Sequence, residues 1–452
     1  MIRTLMRAVP VPQHPAKVLA LGFAAAIAIG TGLLMLPVSV ADPAAGLPTW
    51  EEALFTATSA VCVTGLIVVD TPVYWSGFGE AVIAAGIQLG GLGIMTAASL
   101  LAILMARRLG LRSRLVASAS VRAVGIGDVR SVVLGVAKMS IAIEGLVALI
   151  LVTRFLVTYE MNGPAAVWKG VFTAISAFNN AGFALDSDSL MGYATDPWVL
   201  IPVACAVIIG GLGFPVLFEL RKHIRVPEQW SMHTKLVILG SVALLVLGTI
   251  TLTALEWDNP DTLGAHEVGG KLLLGFFSAV MTRTAGFNAI DTGAMSTQAL
   301  FTQDLLMFIG GGPAGTAGGV KVTTFLVLFF IIVTELRGET AVNIFGRRLS
   351  RAVHREAITV ALLAVAVVVL GTWILLIATS FSLDQILFEV VSAFGTVGLS
   401  TGITADLPTG AHLLLVAIMF VGRLGPITIG SALALRTRKL MFELPKERPI
   451  VG

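Results

Sequence analysis

The sequence is poor in the charged residues that soluble domains carry. Charged residues make up 13% of the chain, about half of their usual share, while 56% of the residues are hydrophobic. The mean hydropathy of +0.91 agrees with these values. This composition excludes an ordinary soluble domain and predicts a protein embedded in a lipid bilayer.

Cysteines and metal-ligand patterns are also scarce. The two cysteines, Cys62 and Cys205, lie far apart within apolar segments, which excludes a disulfide framework and a CxxC metal site. No His/Glu cluster has ligand spacing, and no HExxH, DxxxD or Ser/His pair suggests an intramembrane enzyme. No GxGxxG follows a strand pattern, so a nucleotide-binding domain is not expected either. We therefore predict a protein that is not an enzyme and has no covalent cofactor or structural metal.

Long apolar runs are present instead. Four of them reach or approach the roughly 20 residues that a spanning helix needs. They are Val18–Leu36, Val132–Val152, Leu236–Leu255 and Ile358–Ala378. The first run is followed by Pro37 and an acidic loop rather than by a small-residue cleavage site, which argues against a cleavable signal peptide.

Lysine and arginine are concentrated in a few segments. Of the 30 Lys and Arg residues, 24 lie in the ranges 3–17, 107–138, 221–235, 337–355 and 436–448. The loops between these ranges are acidic, for example at Asp70, Asp186 and Glu256. Because cytoplasmic loops carry the positive charge, both termini and the basic loops are predicted to be cytoplasmic. The recurrence at every second loop favours this explanation over nucleic-acid binding.

One short pattern occurs four times in the chain. Each copy begins with Phe, contains Ser-Ala and closes on Gly followed by a large apolar residue. The copies are FTATSAVCVTGL (Phe55–Leu66), FTAISAFNNAGF (Phe172–Phe183), FFSAVMTRTAGF (Phe276–Phe287) and FEVVSAFGTVGL (Phe388–Leu399). The serine of the third copy lies further from the glycine than in the other copies, which predicts two additional residues between Ser278 and Gly286.

A second glycine motif follows each copy, within another apolar run. Its versions are Gly90–Gly93, Gly210–Gly213, Gly310–Pro313 and Gly422–Gly425. Small residues let membrane helices approach closely, so packing and a role in the pore are equal alternatives for these glycines.

Each unit therefore consists of a helix, a short re-entrant segment and a second helix. Four units predict an all-α polytopic membrane protein with about eight spans, in which four helix–pore loop–helix repeats surround a pseudo-fourfold central pore. The repeats are predicted at residues 1–108, 109–222, 223–340 and 341–452, the last including the C-terminal tail.

The re-entrant segments offer backbone carbonyls to an ion. Glycine lets the chain turn successive carbonyls to one side, and rings of carbonyls can replace the hydration shell of a cation. The preceding half-helices should point their partially negative C-terminal ends toward the pore centre. The residues next to the four glycines include no Asp or Glu, which argues against a carboxylate-ring filter. The predicted filter residues are Val63, Thr64, Gly65, Asn180, Ala181, Gly182, Thr284, Ala285, Gly286, Thr396, Val397 and Gly398.

The four glycine loops, the repeat and the stretch GGGPAGTAGGVKVTT (Gly310–Thr324) resemble the KtrB/TrkH/HKT superfamily of potassium transporters over nearly the whole chain. The length and the ending LPKERPIVG are more similar to KtrB-type than to TrkH-type members. The resemblance implies potassium uptake, with K⁺ held at Gly65, Gly182, Gly286 and Gly398. Plant relatives with Ser at the first of these positions favour sodium, so Gly65 implies a potassium preference.

The resemblance also implies partners and a location. The chain is expected to form a homodimer with one pore per subunit. A cytoplasmic RCK-type (KtrA-like) nucleotide-binding subunit is expected to bind the basic loops, and the expected location is a bacterial plasma membrane. The tail that ends at Gly452 is expected to contribute to the subunit contact. Sodium-stimulated transport is expected. Since only Thr396–Gly398 retains the Thr-Val-Gly of the potassium-channel pattern, sodium is the second candidate ion.

The stretch 310–319 breaks the second helix of the third repeat. Six glycines and Pro313 in this stretch cannot sustain a regular helix, and apolar residues on both sides argue against a cytoplasmic linker. The resemblance implies an intramembrane loop beneath the filter that closes the pore. Arg423, in the middle of an apolar helix, is expected to face the interior as an electrostatic barrier. The predicted gate residues are Gly310, Gly311, Gly312, Pro313, Ala314, Gly315, Thr316, Gly318, Gly319, Lys321 and Arg423.

Other isolated polar residues lie within the apolar segments. For Glu144, a buried hydrogen-bonding role or a subunit contact is favoured over an ion ligand. Arg283 is expected to brace the third loop through carbonyl or carboxylate bonds. Asn179 and Asn180 either line the outer filter or cap the half-helix.

Two other classes of function, a secondary carrier and an intramembrane enzyme, fit the sequence less well. A secondary carrier with broken helices would need paired or inverted repeats and two interrupted helices, and four parallel repeats fit a pore better. The sequence lacks the catalytic residues that an intramembrane enzyme would need. Within the transporter class, a TrkH-type potassium or sodium/potassium transporter is the alternative.

Overall fold

The computed structural model describes residues 15–44, 46–108 and 129–435. The predicted cytoplasmic stretches at 3–14, 109–128 and 436–448 lie outside the described residues, as does the tail that ends at Gly452.

The described residues form helices and one small hairpin. In chain order the helices are α1 (Pro15–Leu34), α2 (Trp50–Cys62), α3 (Thr71–Tyr74), α4 (Gly77–Arg108), α5 (Val129–Val157), α6 (Gly163–Asn179), α7 (Pro197–Leu212), α8 (Phe214–His223), α9 (Met232–Glu256), α10 (Val268–Met281), α11 (Thr297–Phe308), α12 (Val322–Leu336), α13 (Arg351–Ala378), α14 (Leu383–Gly395) and α15 (Thr409–Leu435). The hairpin pairs β1 (Asn343–Ile344) with β2 (Arg347–Arg348) in antiparallel register.

The helices fall into four successive groups of the same design. The first group contains α1, α2 and α4; the second contains α5, α6 and the pair α7–α8. The third contains α9, α10 and the pair α11–α12, and the fourth contains α13, α14 and α15. Apart from the small hairpin, the helical fold of four helix–loop–helix repeats is therefore as predicted.

The second element of each group is a half-helix. These helices, α2, α6, α10 and α14, have 13, 17, 14 and 13 residues. At 1.5 Å per residue they extend about 20–26 Å, which is less than the hydrocarbon thickness of a bilayer. Capping boxes start two of them, Thr49 with Glu52 in α2 and Ser382 with Gln385 in α14. The half-helices must therefore end within the membrane region.

Length and composition alone identify five spans among the described residues. They are Lys17–Leu34, Gly77–Ala97, Val132–Val157, Met232–Glu256 and Arg351–Ala378. The pair α7–α8, which bends by 100°, would make a sixth. The second helices of the third and fourth groups contribute the shorter apolar segments Val322–Leu336 and Thr409–Gly425. Helix breaks divide the second helices of the second and third groups, so neither of them contains one continuous apolar helix of spanning length.

The second glycine motif packs against the half-helices. A methyl group added to Gly90, Gly210 or Gly422 would collide with a carbonyl oxygen in the last turn of the half-helix of the same repeat. Those oxygens belong to Val61, Phe178 and Phe394. Close packing therefore explains these three glycines, whereas Gly310 contacts the backbone of Gly318 instead.

Candidate functional site

The four glycine loops share one backbone conformation. In each loop the residue two positions before the glycine is left-handed, and the glycine itself has a positive φ. The φ values are 57° at Val63, 61° at Asn180, 76° at Thr284 and 49° at Thr396, then 94°, 74°, 67° and 95° at Gly65, Gly182, Gly286 and Gly398. The glycines are needed because other residues are strained in this region.

These loops meet one another in a closed ring. A methyl group on Gly65 would collide with the carbonyl oxygen of Ala181, and one on Gly398 would collide with that of Thr64. The same relationship joins Gly286 to Val397, and Gly182 to Ala285 at 2.7 Å. Each glycine thus adjoins a carbonyl group of the next repeat, and the fourth repeat returns to the first.

Backbone hydrogen bonds direct the loop amides away from the ring. The amide of Thr64 donates to the carbonyl oxygen of Ser59 at 2.7 Å, and the equivalent bonds of Ala181 and Val397 return to Ser176 and Ser392. The Gly65 amide donates to the Ser59 hydroxyl at 3.0 Å. Because the amides are bonded to their own half-helix, the carbonyl groups of the loops stay available at the ring.

The expectation of two additional residues in the third loop is wrong. Counted back from the glycine, Phe276 stands where Phe55 stands in the first copy. The left-handed residue Thr284 also keeps its place two positions before the glycine. The Ser-Ala pair has moved within the half-helix, so Val280 replaces the serine, and the Gly286 amide donates to the carbonyl oxygen of Met281 at 3.3 Å.

A cavity of about 490 Å³ opens on one side of the ring. It is lined by all four glycines and by three aspartates, Asp70, Asp186 and Asp291. Asp186 is paired with the buried Lys169, and Asp70 accepts a hydrogen bond from Ser187 at 2.5 Å. The carboxylates make this approach to the ring favourable to cations.

The segment from Gly310 to Lys321 lies against the ring, between α11 and α12. Its amides and carbonyls bond to the bend between α7 and α8: Gly312 donates to the Gly211 carbonyl at 2.7 Å, and Phe214 donates to that of Ala314 at 3.2 Å. The buried Thr316 hydroxyl shares a 2.8 Å hydrogen bond with the Asn180 side chain. A methyl group on Gly318 would collide with the Thr396 hydroxyl. This segment therefore contacts the loops of the second and fourth repeats.

Two cationic side chains, the buried Arg423 and the partly buried Lys321, bond to the backbone of this segment. Arg423, 1% exposed, donates to the carbonyl oxygens of Thr316 and of Gly90, the latter at 3.3 Å. Lys321 donates to the carbonyl oxygens of Ala317 and Gly318. Arg423 thus links the fourth repeat, the interrupted helix of the third and the second helix of the first.

The two asparagines are not exposed to the outer cavity. Asn180 ends α6 in the left-handed conformation and bonds to Thr316. Asn179 donates to Gln88 at 2.8 Å and to Glu144 at 3.2 Å, and Ser140 also donates to Glu144. Glu144 therefore has the predicted hydrogen-bonding role, between the first two repeats.

Sequence reasoning missed a polar chain at the contact between the fourth and first repeats. Glu389 accepts hydrogen bonds from Ser400, from the Thr401 amide and from the Thr404 hydroxyl. The carbonyl oxygen of Thr404 bonds to His412, whose other ring nitrogen lies 2.6 Å from Glu51. The isolated Glu389 in an apolar half-helix was the available signal.

The fold and the loop ring define the class of this chain, a helical membrane protein of four helix–loop–helix repeats around a central pore. Residues 24–438 match the TrkH family of cation transport proteins, and the chain belongs to this family. The family consists of cation transport proteins rather than enzymes, in agreement with the sequence-based prediction.

Curated relatives cover nearly the full length. The chain is 42% identical to Ktr system potassium uptake protein B of Bacillus subtilis, over 97% of each chain. It is 34% identical to the protein of the same name from Vibrio alginolyticus, over 96% of this chain and 94% of that one. It is 33% identical to potassium/sodium uptake protein NtpJ of Enterococcus hirae, over 97% of each.

A solved structure has the same fold. The potassium transporter TrkH from Vibrio parahaemolyticus superposes with a TM-score of 0.70, covering 96% of this chain and 86% of that one, at 17% identity.

Proposed function

We propose that this chain takes up potassium ions across the plasma membrane through a channel-like pore with a four-loop filter. The closed ring, in which each glycine adjoins a carbonyl of the next loop, carries the proposal. An ion that loses its water there meets backbone oxygens from every repeat. The predicted potassium positions are Gly65, Gly182, Gly286 and Gly398. The ends of four half-helices add a favourable field for a cation.

The relatives support the choice of ion. Two are named as potassium uptake proteins and one as a potassium/sodium uptake protein. We therefore propose potassium as the transported ion, with sodium stimulation and sodium as a second ion. A TrkH-type potassium or sodium/potassium transporter is the alternative within the same class.

The segment 310–319, with Lys321 and Arg423, is proposed as the gate. The contacts of this segment with the loops of two repeats and with the α7–α8 bend support this assignment. A chain segment in this place occupies the path that an ion would follow after the ring. Opening then requires the segment to exchange its hydrogen bonds with Asn180 and Arg423 for others.

The repeat boundaries and the orientation are proposals as well. We propose repeats at 1–108, 109–222, 223–340 and 341–452, with both termini and the basic loops in the cytoplasm. The acidic cavity beside the ring then faces outward, where its carboxylates would concentrate cations.

Partners are proposed from the family and the names of the relatives. Two relatives are proteins of a Ktr system, and this supports a cytoplasmic RCK-type nucleotide-binding subunit on the basic loops. A homodimer with one pore per subunit, in a bacterial plasma membrane, completes the proposal.

A broken-helix carrier is less well supported, although one of its expectations is met. Two second helices are interrupted, one by the 100° bend between α7 and α8 and one between Phe308 and Val322. The two breaks contact each other directly, however. They form one assembly against the ring rather than two substrate-binding breaks in inverted repeats.

Growth of a bacterium that lacks its own potassium uptake systems tests the proposal. Expression of this chain should restore growth at low potassium, and its co-expression with an RCK-type subunit, with and without sodium, tests the regulation. Purified protein in liposomes should take up ⁸⁶Rb⁺. Failure of both experiments with correctly inserted protein would overturn the proposal.

Gly286→Ala provides the site-specific arm of this experiment. The added methyl would collide with the Val397 carbonyl, so we expect uptake to be lost. Gly269→Ala is the matched control, because nothing lies within 4 Å of the added methyl. Equal uptake by both variants would show that the ring is not the ion path.

A further inference from the structure

Arg283 and Arg423 lie at equivalent contacts between repeats. Arg283 stands three positions before the filter glycine of its loop, where the other repeats have Cys62, Asn179 and Gly395. Arg423 is the second residue of the second-helix motif, where the other repeats have Gly91, Gly211 and Gly311.

The residue three positions before the filter glycine faces the second helix of the preceding repeat. A methyl group on Gly91 would collide with the Asn179 side chain. Arg283 and Gly211 line the same small cavity of about 20 Å³. Cys62 is close enough to Arg423 for the two to interact electrostatically. The loop residue and the helix residue of adjacent repeats therefore share one space.

Each arginine occupies one such space, and the two spaces lie at opposite contacts of the ring. Arg283 reaches its space from the loop, at the contact of the second and third repeats. Arg423 reaches its space from the helix, at the contact of the fourth and first repeats. In a ring of four these two contacts are diametrically opposed, so the guanidinium groups approach the region beside the ring from two sides.

Both arginines donate to the interrupted helix. Arg283 is 8% exposed and donates to the carbonyl oxygen of Ser241 at 2.9 Å and to that of Gly310 at 3.4 Å. Arg423 donates to the carbonyl oxygen of Thr316. Among the described residues, no carboxylate is bonded to Arg283. Its bonds to these backbone oxygens and to the Ser241 hydroxyl are therefore what stabilises its charge inside the membrane protein.

We propose that Arg283 is a positioning residue of the closed gate, the counterpart of Arg423 on the opposite side. It ties the third filter loop and α9 to Gly310, the first residue of the proposed gate. Arg423 holds the middle of the same segment at Thr316. Gly310 lies just after the end of α11, so movement of the segment displaces the Gly310 carbonyl. Opening of the gate therefore breaks the bond from Arg283 to this carbonyl. This inference rests on the proposed potassium transport.

Uptake of ⁸⁶Rb⁺ into liposomes by the full chain tests the inference. Arg283→Met removes every donor and keeps a long side chain, and Arg283→Lys keeps the charge without the planar fork. We expect the maximal rate to rise about tenfold or more with Met and less with Lys, since one hydrogen bond to a charged group is lost. The half-saturating concentration should stay within about twofold of the parent value, because the filter glycines are unchanged.

Arg154→Met is the matched control. Arg154 pairs with Asp196 at 2.7 Å, away from the gate, so its loss should leave the maximal rate unchanged. A second arm repeats Arg283→Met in a chain shortened within Gly311–Gly318. If Arg283 acts through the gate, the substitution should have no further effect there.

Thiol labelling supplies a measurement that does not depend on transport. In a background without both native cysteines, Cys62→Ala and Cys205→Ser, a reporter Ala317→Cys at a buried position of the segment should react faster with a water-soluble maleimide when Arg283 is Met. An unchanged maximal rate together with unchanged labelling would overturn the inference, as would an equal rate increase in the shortened chain. Absence of uptake by the parent protein would instead refute the proposed function.

Discussion

Asn180 and Thr316 are joined by a 2.8 Å hydrogen bond between their side chains, although 136 positions separate them. Asn180 belongs to the ring of glycine loops, and Thr316 belongs to the segment that lies against it. Both side chains are at most 1% exposed. The proposed filter of the second repeat and the proposed gate of the third are therefore in direct contact.

Loss of this bond should favour opening of the gate. Thr316→Val keeps the shape of the side chain and removes the hydroxyl. A neutral hydrogen bond contributes about 0.5–1.5 kcal/mol, so we expect ⁸⁶Rb⁺ uptake to rise about two- to tenfold. Thr302→Val is the control, because that hydroxyl bonds only to the carbonyl of Gln298 in its own helix. A rate equal to that of the parent protein would contradict a gating role of the bond.

Removal of the buried charge of Arg423 should increase throughput. Arg423→Ala takes away a cation beside the ring and its bonds to Thr316 and Gly90. Hydrogen bonds to charged groups contribute about 1.5–3 kcal/mol, so the initial rate of potassium uptake should rise about tenfold or more. Arg423→Lys should give a smaller increase, since it keeps the charge but not the planar fork. An unchanged rate in a correctly folded Ala variant would contradict the proposed role of Arg423 as an electrostatic barrier to cations.

Substitution of the first filter glycine should alter the choice of ion. In Gly65→Ser the added side chain collides with the Ala181 carbonyl and must displace the neighbouring loop. We expect the ratio of potassium to sodium uptake to fall by about tenfold, which corresponds to 1.4 kcal/mol of relative binding. Competition of sodium with ⁸⁶Rb⁺ measures this ratio. Gly145→Ser, where the structure leaves open space, should keep the parent ratio.

The stability of the contact between the fourth and first repeats should depend on the bond between His412 and Glu51. The His412 ring lies 2.6 Å from Glu51, and the two side chains are 8% and 19% exposed. Glu51→Gln should destabilise the protein by about 1–3 kcal/mol, because it weakens a largely buried bond to a charged group. The thermal unfolding midpoint in detergent measures the effect. Glu267→Gln is the control at an exposed helix start without a capping bond, and a midpoint equal to that control would contradict the prediction.

Much of the fold could be predicted because membrane residence leaves strong patterns. Three of the apolar runs lie within α5, α9 and α13, and the first extends two residues beyond the end of α1 at Leu34. The four-repeat fold around a central pore and the family are confirmed. The roles of the filter and gate residues stay predictions that the experiments above address. The predicted additional residues of the third loop are absent, because Phe276 and Gly286 keep the separation of the other copies and only the Ser-Ala pair has shifted.

The sequence alone determined the repeated pattern, the glycines and the isolated charges, since hydrophobic length and backbone freedom are local properties of the chain. Only the tertiary structure decided what each isolated charge contacts. Arg283 reaches the Gly310 carbonyl and His412 reaches Glu51 because closing four repeats into a ring brings together residues that are distant in sequence. The partner of a buried polar group is set by that closure, and no local pattern specifies it.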